Sequence, residues 1–262
     1  NFDKQEFITG LETQSVNDGD IQHFNYKENI NGFNVNVGHK KSEFGNFDIP
    51  DGAVMHDDHQ DAEEEELSYL KNSDLEIEST KFGISRAGEW GYFGISVDNH
   101  ESMYGIPYHG EHDDTDHPGD DADLHPEHEG ERIFSTTDQE SFTTKGLYNV
   151  NGNLVNSVSY NYRDTDYSLT EAHAEEEGHE EPEEEEHAPT VFSNDATEYG
   201  AIFDLSNDNF IQKISLNFVD EDSSIVGEEA FMNPANNEEF TIGYFVSADL
   251  DNFYLDAGFR ID

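Results

Sequence analysis

Cysteine is absent from the 262-residue chain, which removes thiolate metal sites, zinc fingers and disulfide staples together. His, Asp and Glu remain as the strong ligands available. Cationic side chains are scarce as well: 12 Lys and Arg stand against 61 Asp and Glu, for a formal charge of −49. A field of that sign repels phosphate backbones, so nucleic acid is excluded as a partner, while cations are concentrated at the surface. Apolar residues never run to 18 in succession. A transmembrane helix is thereby ruled out, whereas a membrane β-barrel, whose strands alternate, is not. There is no Gly-rich phosphate loop, no nucleophile elbow and no His-Glu-x-x-His segment, and carboxylate pairs are too common for any one pair to mark acid–base catalysis. The chain is not expected to be an enzyme. It opens at Asn1 without an initiator Met or a signal peptide and stops at Asp262 inside a strand-like run, so it is expected to be a piece of a longer protein.

Low hydrophobicity with high charge also suits disorder, but the chain carries 19 Phe and 12 Tyr, and its apolar residues are patterned. Period-2 alternation places Phe33, Val35 and Val37 on one face and Asn34, Asn36 and Gly38 on the other. The same pattern recurs at Thr80, Phe82 and Ile84, at Phe93, Ile95 and Val97, over residues 132 to 149, at Leu154, Val158, Tyr160 and Tyr162, and on to Phe259 and Ile261. Asn151-Gly152 predicts a two-residue hairpin. The count is about eleven strands in an antiparallel up-and-down meander, all-β, with no amphipathic helix to cover the sheet. Connections alternate too. Short turns at 29–32, 87–89, 150–152, 206–209 and 249–251 fall between mostly long segments at 16–20, 42–74, 100–131, 164–194 and 220–237. In a meander, alternate connections share an end, so the short turns sit at one rim and the long loops at the other, as in outer-membrane barrels.

The segments 42–74, 100–131 and 164–194 hold eleven of the thirteen histidines and a single basic residue, Lys71. The spacing His-x-x-His occurs three times, at His56-Asp57-Asp58-His59, His109-Gly110-Glu111-His112 and His125-Pro126-Glu127-His128. Two imidazoles three apart reach one ion from a turn, and an intervening carboxylate completes or orients the site. The candidate metal ligands are His56, Asp57, Asp58, His59, Asp61, His100, His109, Glu111, His112, Asp113, Asp114, Asp116, His117, His125, His128, His173, His179 and His187. Runs such as Glu63 to Glu66 and Glu183 to Glu186 read as solvated acidic tracts, and salt adaptation accounts for part of the acidity. Neither explains why histidine is confined to these segments. His23 and His39 fall within strands and read as ordinary lumen-facing or rim side chains.

Phe47-Asp48-Ile49-Pro50 precedes the first His-rich loop and Asn72-Ser73-Asp74 follows it. Gly91 to Val97 leads into Tyr104-Gly105-Ile106-Pro107, directly ahead of the cluster that begins at His109, and Gly227-Glu228-Glu229-Ala230-Phe231 comes later with Pro234. In order and spacing, from about residue 30 to the end, these pieces resemble the barrel of TonB-dependent outer-membrane receptors, and among them the zinc-uptake type with His- and acid-rich extracellular loops. The resemblance implies that residues 1–262 are part of a 22-stranded transmembrane barrel, here without its plug and TonB-contacting segment. It further implies outer-membrane lipid and the TonB complex as partners. The cargo it implies is a transition-metal ion, zinc first with nickel or copper as alternatives, and no organic cofactor. Two alternatives stay open: a receptor for a metal chelate or other organic ligand, and a secreted acidic β protein that binds cations.

Overall fold

The computed structural model describes residues 4–50, 68–107, 131–175, 188–227, 230–250 and 253–262. All regular structure among them is β. The strands are β1 (Glu6–Gln14), β2 (Gly19–Ile30), β3 (Phe33–Phe44), β4 (Leu75–Gly88), β5 (Gly91–Gly105), β6 (Glu131–Asn149), β7 (Ser157–Glu175), β8 (Thr190–Asp204), β9 (Phe210–Val226), β10 (Ala235–Leu250) and β11 (Phe253–Ile261). They form one sheet in sequence order, every neighbour antiparallel, with β1 and β11 at the two edges. The expected meander of eleven strands is therefore present, as a single open sheet.

The two faces differ in an unusual sense. One carries Phe33, Val35 and Val37 of β3, Ile84 and Phe82 of β4 and Phe93, Ile95 and Val97 of β5, joined across the strands by the ladder. Several of these side chains are uncovered: Phe82, Ile95 and Val97 are 45%, 37% and 46% exposed. The other face carries Asn34, Asn36, Ser85, Ser96, Thr143 and Asn161, and it is where the deeply buried strand side chains are small and polar, such as Ser42, Ser135 and Ser247. Only Ile225 and Ala248 are buried apolar side chains among the described residues. A water-soluble sheet hides its apolar face; this one exposes it and crowds its polar face.

Register adds a second feature. The ladder row that leaves the β2–β3 hairpin at Ile30 and Phe33 passes Arg86, Phe93, Gly146, Tyr160 and Leu216 and arrives at Ile242 of β10, eight residues before the hairpin end at Leu250. The short-turn end thus advances by about one residue per strand. With a rise of ~3.3 Å and a strand spacing of ~4.8 Å, that stagger is a tilt of roughly 35°, the slope that barrels need to close.

The strands outrun their apolar pattern at one end, which corrects three expected loop boundaries. His100 is in β5, paired with Ser79 and Gln139, and β5 continues to Gly105. The segments 164–194 and 220–237 likewise contain the far halves of β7 and β9 and the starts of β8 and β10. Where the sheet rises above its apolar band both faces are wet, so alternation disappears while the backbone ladder continues. A further correction concerns the predicted two-residue turn at Asn151-Gly152. Residues 150–156 form one loop, in which the N–H groups of Val150 and Asn151 both donate to the Asn156 carbonyl (2.8 and 3.0 Å), and Leu154 lies outside β7. Asn156 is held in turn by the neighbouring hairpin: its N–H donates to the Asp204 carbonyl and its Nδ2 to the Ser206 carbonyl, at 2.8 and 2.6 Å. The two-residue hairpin would remove that link.

Candidate metal-binding rim

The long connections leave and re-enter the sheet at one end, because consecutive antiparallel neighbours put β3–β4, β5–β6, β7–β8 and β9–β10 on the same side and every short hairpin on the other. On the apolar face each strand changes character on the way to that end. An aromatic belt comes first. Tyr162, Tyr199, Phe218 and Phe240 are successive ladder partners on β7 to β10, and Phe142 of β6 joins the row through Tyr162, with ring centroids 6.0 Å apart. The Tyr162–Tyr199 and Tyr199–Phe218 centroids are 4.9 and 6.3 Å apart. Beyond the belt the same face turns acidic. Asp164 and Asp166 follow Tyr162, Asp220 and Asp222 follow Phe218, and Glu76, Glu78, Glu101 and Asp138 line one recess of about 340 Å³ with Met103 and Thr136. A cation set into this collar, Lys41, bridges Glu43 at 2.6 Å and Glu76 at 3.1 Å. The Glu43 carboxylate, with Glu76 second, holds its ammonium above the ordinary lysine range.

The necks of the first two His-bearing connections are tied together by hydrogen bonds. Asp48 bridges Tyr69, and the N–H groups of Ile49 and Leu70 donate to the carbonyls of Ser68 and Phe47, at 2.9 and 2.8 Å. Ser73 accepts from the Phe47 N–H (2.9 Å) and donates to the Leu70 carbonyl (2.6 Å), while its N–H donates to Asn46 Oδ1 at 2.8 Å. Asn72, with φ of 58°, donates from Nδ2 to the carbonyls of both Ile106 and Ile133, each at 3.1 Å. Asp74 closes the set: its carbonyl accepts from the Gly105 N–H at 2.9 Å and its carboxylate pairs with Arg132, whose guanidinium lies 5.8 Å from the Phe134 ring. Gly105 is required by close approach, since a Cβ there would lie 2.7 Å from the Asn72 carbonyl oxygen. One clasp therefore fixes the exit of β3, the entry of β4, the exit of β5 and the entry of β6.

Of the candidate ligands, His100 is half-buried in β5 on the polar face, and His173 is in β7 opposite Ile133. In the ladder they are separated by β6 and by six residues along the strands, so the sheet does not bring them to one ion. The other sixteen, His56, Asp57, Asp58, His59, Asp61, His109, Glu111, His112, Asp113, Asp114, Asp116, His117, His125, His128, His179 and His187, lie outside the described residues. Among the described residues no group of three His, Asp or Glu side chains is placed to hold a metal. His39, on the apolar face beside Phe24, has Nδ1 3.0 Å from Thr80 Oγ1 and is a rim side chain; His23 is on the polar face.

Sequence reasoning missed the clasp as a unit, although Phe47 to Pro50, Asn72 to Asp74 and Tyr104 to Pro107 had each drawn notice as motifs. It also passed over the cations of the polar face. Lys27, Lys81, Lys145 and Arg163 share the parity of Asn36, Ser96 and Asn161, while Lys41, Arg86 and Arg132 stand on the other face. No protein-family model matches the chain, and no curated protein matches it in sequence.

Proposed function

We propose that this chain is the wall of an outer-membrane receptor that, in its intact form, takes up a transition-metal ion, zinc first, captured by the His- and acid-rich connections at its extracellular end. The observation that carries this reading is the pairing of an uncovered apolar face with a sorted rim. Nine of the thirteen histidines fall in the connections between β3 and β4, β5 and β6, and β7 and β8, all of which depart from the end where the exterior turns from aromatic to acidic. Lipid covers an apolar face that water does not tolerate, and an aromatic belt beneath a charged collar suits the membrane interface. The strand tilt supports a closed barrel, and the resemblance of the neck motifs supports the TonB-dependent class with 22 strands. A secreted cation buffer is disfavoured by the same apolar face.

In this function the collar and the connections raise the local concentration of divalent cations, neutral imidazoles select borderline metals over Ca²⁺ and Mg²⁺, and the clasp ties together the necks from which two of the collecting segments depart. Sites formed by long connections lose conformational entropy on binding, so their affinity is moderate. The test is a zinc titration of the full-length protein in lipid bilayers, with and without His109, His112, His117, His125 and His128 replaced by Asn. The expected result is a loss of at least tenfold in affinity. Unchanged affinity, or a full-length protein that stays soluble and monomeric without detergent, would overturn the reading.

A further inference from the structure

The apolar face carries a cation at its short-turn end that metal capture at the rim leaves without a role. The Lys and Arg side chains of the described strands that stand on this face are Lys41, Arg86 and Arg132. Lys41 and Arg132 lie at the acidic end and are paired, the first with Glu43 and Glu76 and the second with Asp74. Arg86 lies at the other end of β4, just before the hairpin closes at Gly88 and Gly91. It enters none of the ion pairs among the described residues. Glu28, which shares this face on β2, accepts instead from the Tyr26 hydroxyl.

Aromatic side chains surround this cation. Both ladder partners of Arg86 are aromatic, Phe33 on β3 and Phe93 on β5, and its guanidinium lies over the Phe33 ring, 4.9 Å from the centroid. Gly88 follows Arg86 on the same face, since side chains alternate along a strand. The Trp90 indole lies across it: a Cβ on Gly88 would be 2.7 Å from Nε1, and the indole is 6.2 Å from the Phe93 ring. Trp90 is 39% exposed, and its indole N–H has no acceptor among the described residues. A guanidinium that only sought bulk water would extend past the hairpin. This one stays over an aromatic ring, beside a second free donor, at the edge of the apolar band. Beyond both, at the hairpin tip, Glu89 is exposed and enters no ion pair among the described residues. From the apolar band toward the short-turn end, the order of charge is therefore positive, then negative. A headgroup whose phosphate is followed by an ammonium has the complementary order.

We propose that Arg86, Trp90 and Glu89 form a site for a zwitterionic ethanolamine phospholipid in the leaflet at the short-turn end. The Arg86 fork and the Trp90 indole N–H donate to the phosphate, and the Glu89 carboxylate accepts from the ammonium. The proposal rests on the reading that lipid covers the apolar face and is independent of the metal carried.

The test uses the full-length protein in mixed bilayers, with the fluorescence of Trp90 isolated as the difference between the parent and Trp90→Phe. Bromine on the acyl chains of one lipid component quenches an indole in contact with it, so quenching reports which headgroup stands beside Trp90. Brominated phosphatidylethanolamine is expected to be preferred over phosphatidylcholine and phosphatidylglycerol by roughly threefold, the scale of one exposed ion pair. Arg86→Gln and Glu89→Gln are each expected to abolish the preference and Arg86→Lys to keep part of it. Lys27→Gln, on the polar face, is expected to leave it unchanged. Quenching that follows bilayer composition alone, a preference for phosphatidylglycerol, or a preference indifferent to Arg86→Gln would overturn the site while leaving lipid on the face. No quenching of Trp90 by any brominated lipid would remove lipid from this face, and the site with it.

Discussion

At the residue scale, positions that look interchangeable in the sequence are held by different physics. Asn72 combines a left-handed backbone with an amide that donates to two carbonyls, of which that of Ile133 also accepts from the Ile106 N–H. Asn72→Gly keeps the backbone freedom and removes the donors, so it isolates the hydrogen bonds. It is expected to cost about 1–3 kcal/mol in urea unfolding, and stability equal to the parent would show that the Asn72 hydrogen bonds contribute nothing. Glycines divide in the same way. Gly91 has φ of 124° and a Cβ there would sit 1.8 Å from the Leu147 carbonyl oxygen, whereas Gly32, with φ of 85°, has only the end of Arg86 near it, at 4.0 Å. Gly91→Ala is therefore expected to destabilise the protein by about 3 kcal/mol or more. Gly32→Asn, at a tight hairpin between β2 and β3, is expected to stay within about 1 kcal/mol of the parent. Comparable losses at both glycines in the same unfolding assay would mean that backbone conformation, and not the contact at Leu147, sets the cost.

At the element scale, each strand has two zones along its length and two faces across it, and only some of these were visible beforehand. Ile95 and Ser96 are adjacent in β5, one on the exposed apolar face and one on the polar face. Ile95→Lys puts a charge where lipid is expected and should cost about 2–4 kcal/mol, while Ser96→Lys should cost well under half of that; the reverse order in bilayer unfolding would invert the assignment of faces. The faces were legible because Phe33, Val35 and Val37 alternate with Asn34, Asn36 and Gly38, a period that the pleat enforces. The upper half of β7 was not legible. Asp164, Asp166, Ser168 and Thr170 on one side and Thr165 and Tyr167 on the other give no hydrophobic contrast, although their ladder to β6 and β8 is unbroken. The clasp was half legible. Asn72, Ser73 and Asp74 form a recognisable string, but their partners Asn46, Ile106, Arg132 and Ile133 are distant in sequence, and only the register of β3 to β6 brings them together.

At the scale of the whole molecule, charge is sorted by place. The apolar face turns acidic beyond the aromatic belt, the polar face of β4 to β7 holds cations, and the histidine-bearing connections all open from the acidic end. Both imidazole and carboxylate can attract zinc at that end, and proton competition separates their contributions. A carboxylate with an ordinary value near 4 stays ionised between pH 7.5 and 5.5, while imidazole with an ordinary value near 6.5 goes from mostly neutral to mostly protonated. Protonated imidazole cannot ligate, so each coordinating histidine is expected to weaken zinc binding by roughly tenfold over that interval. A site with two histidines then loses about a hundredfold, and a site of carboxylates alone loses little. Raising the salt acts on the other quantity: it screens the long-range field and slows capture, with less effect on the short-range ligand bonds. Zinc titrations of the full-length protein at pH 7.5 and 5.5, each at low and high salt, separate the two. A pH-independent affinity that falls steeply with salt would assign capture to the acidic field and remove the histidines from the mechanism.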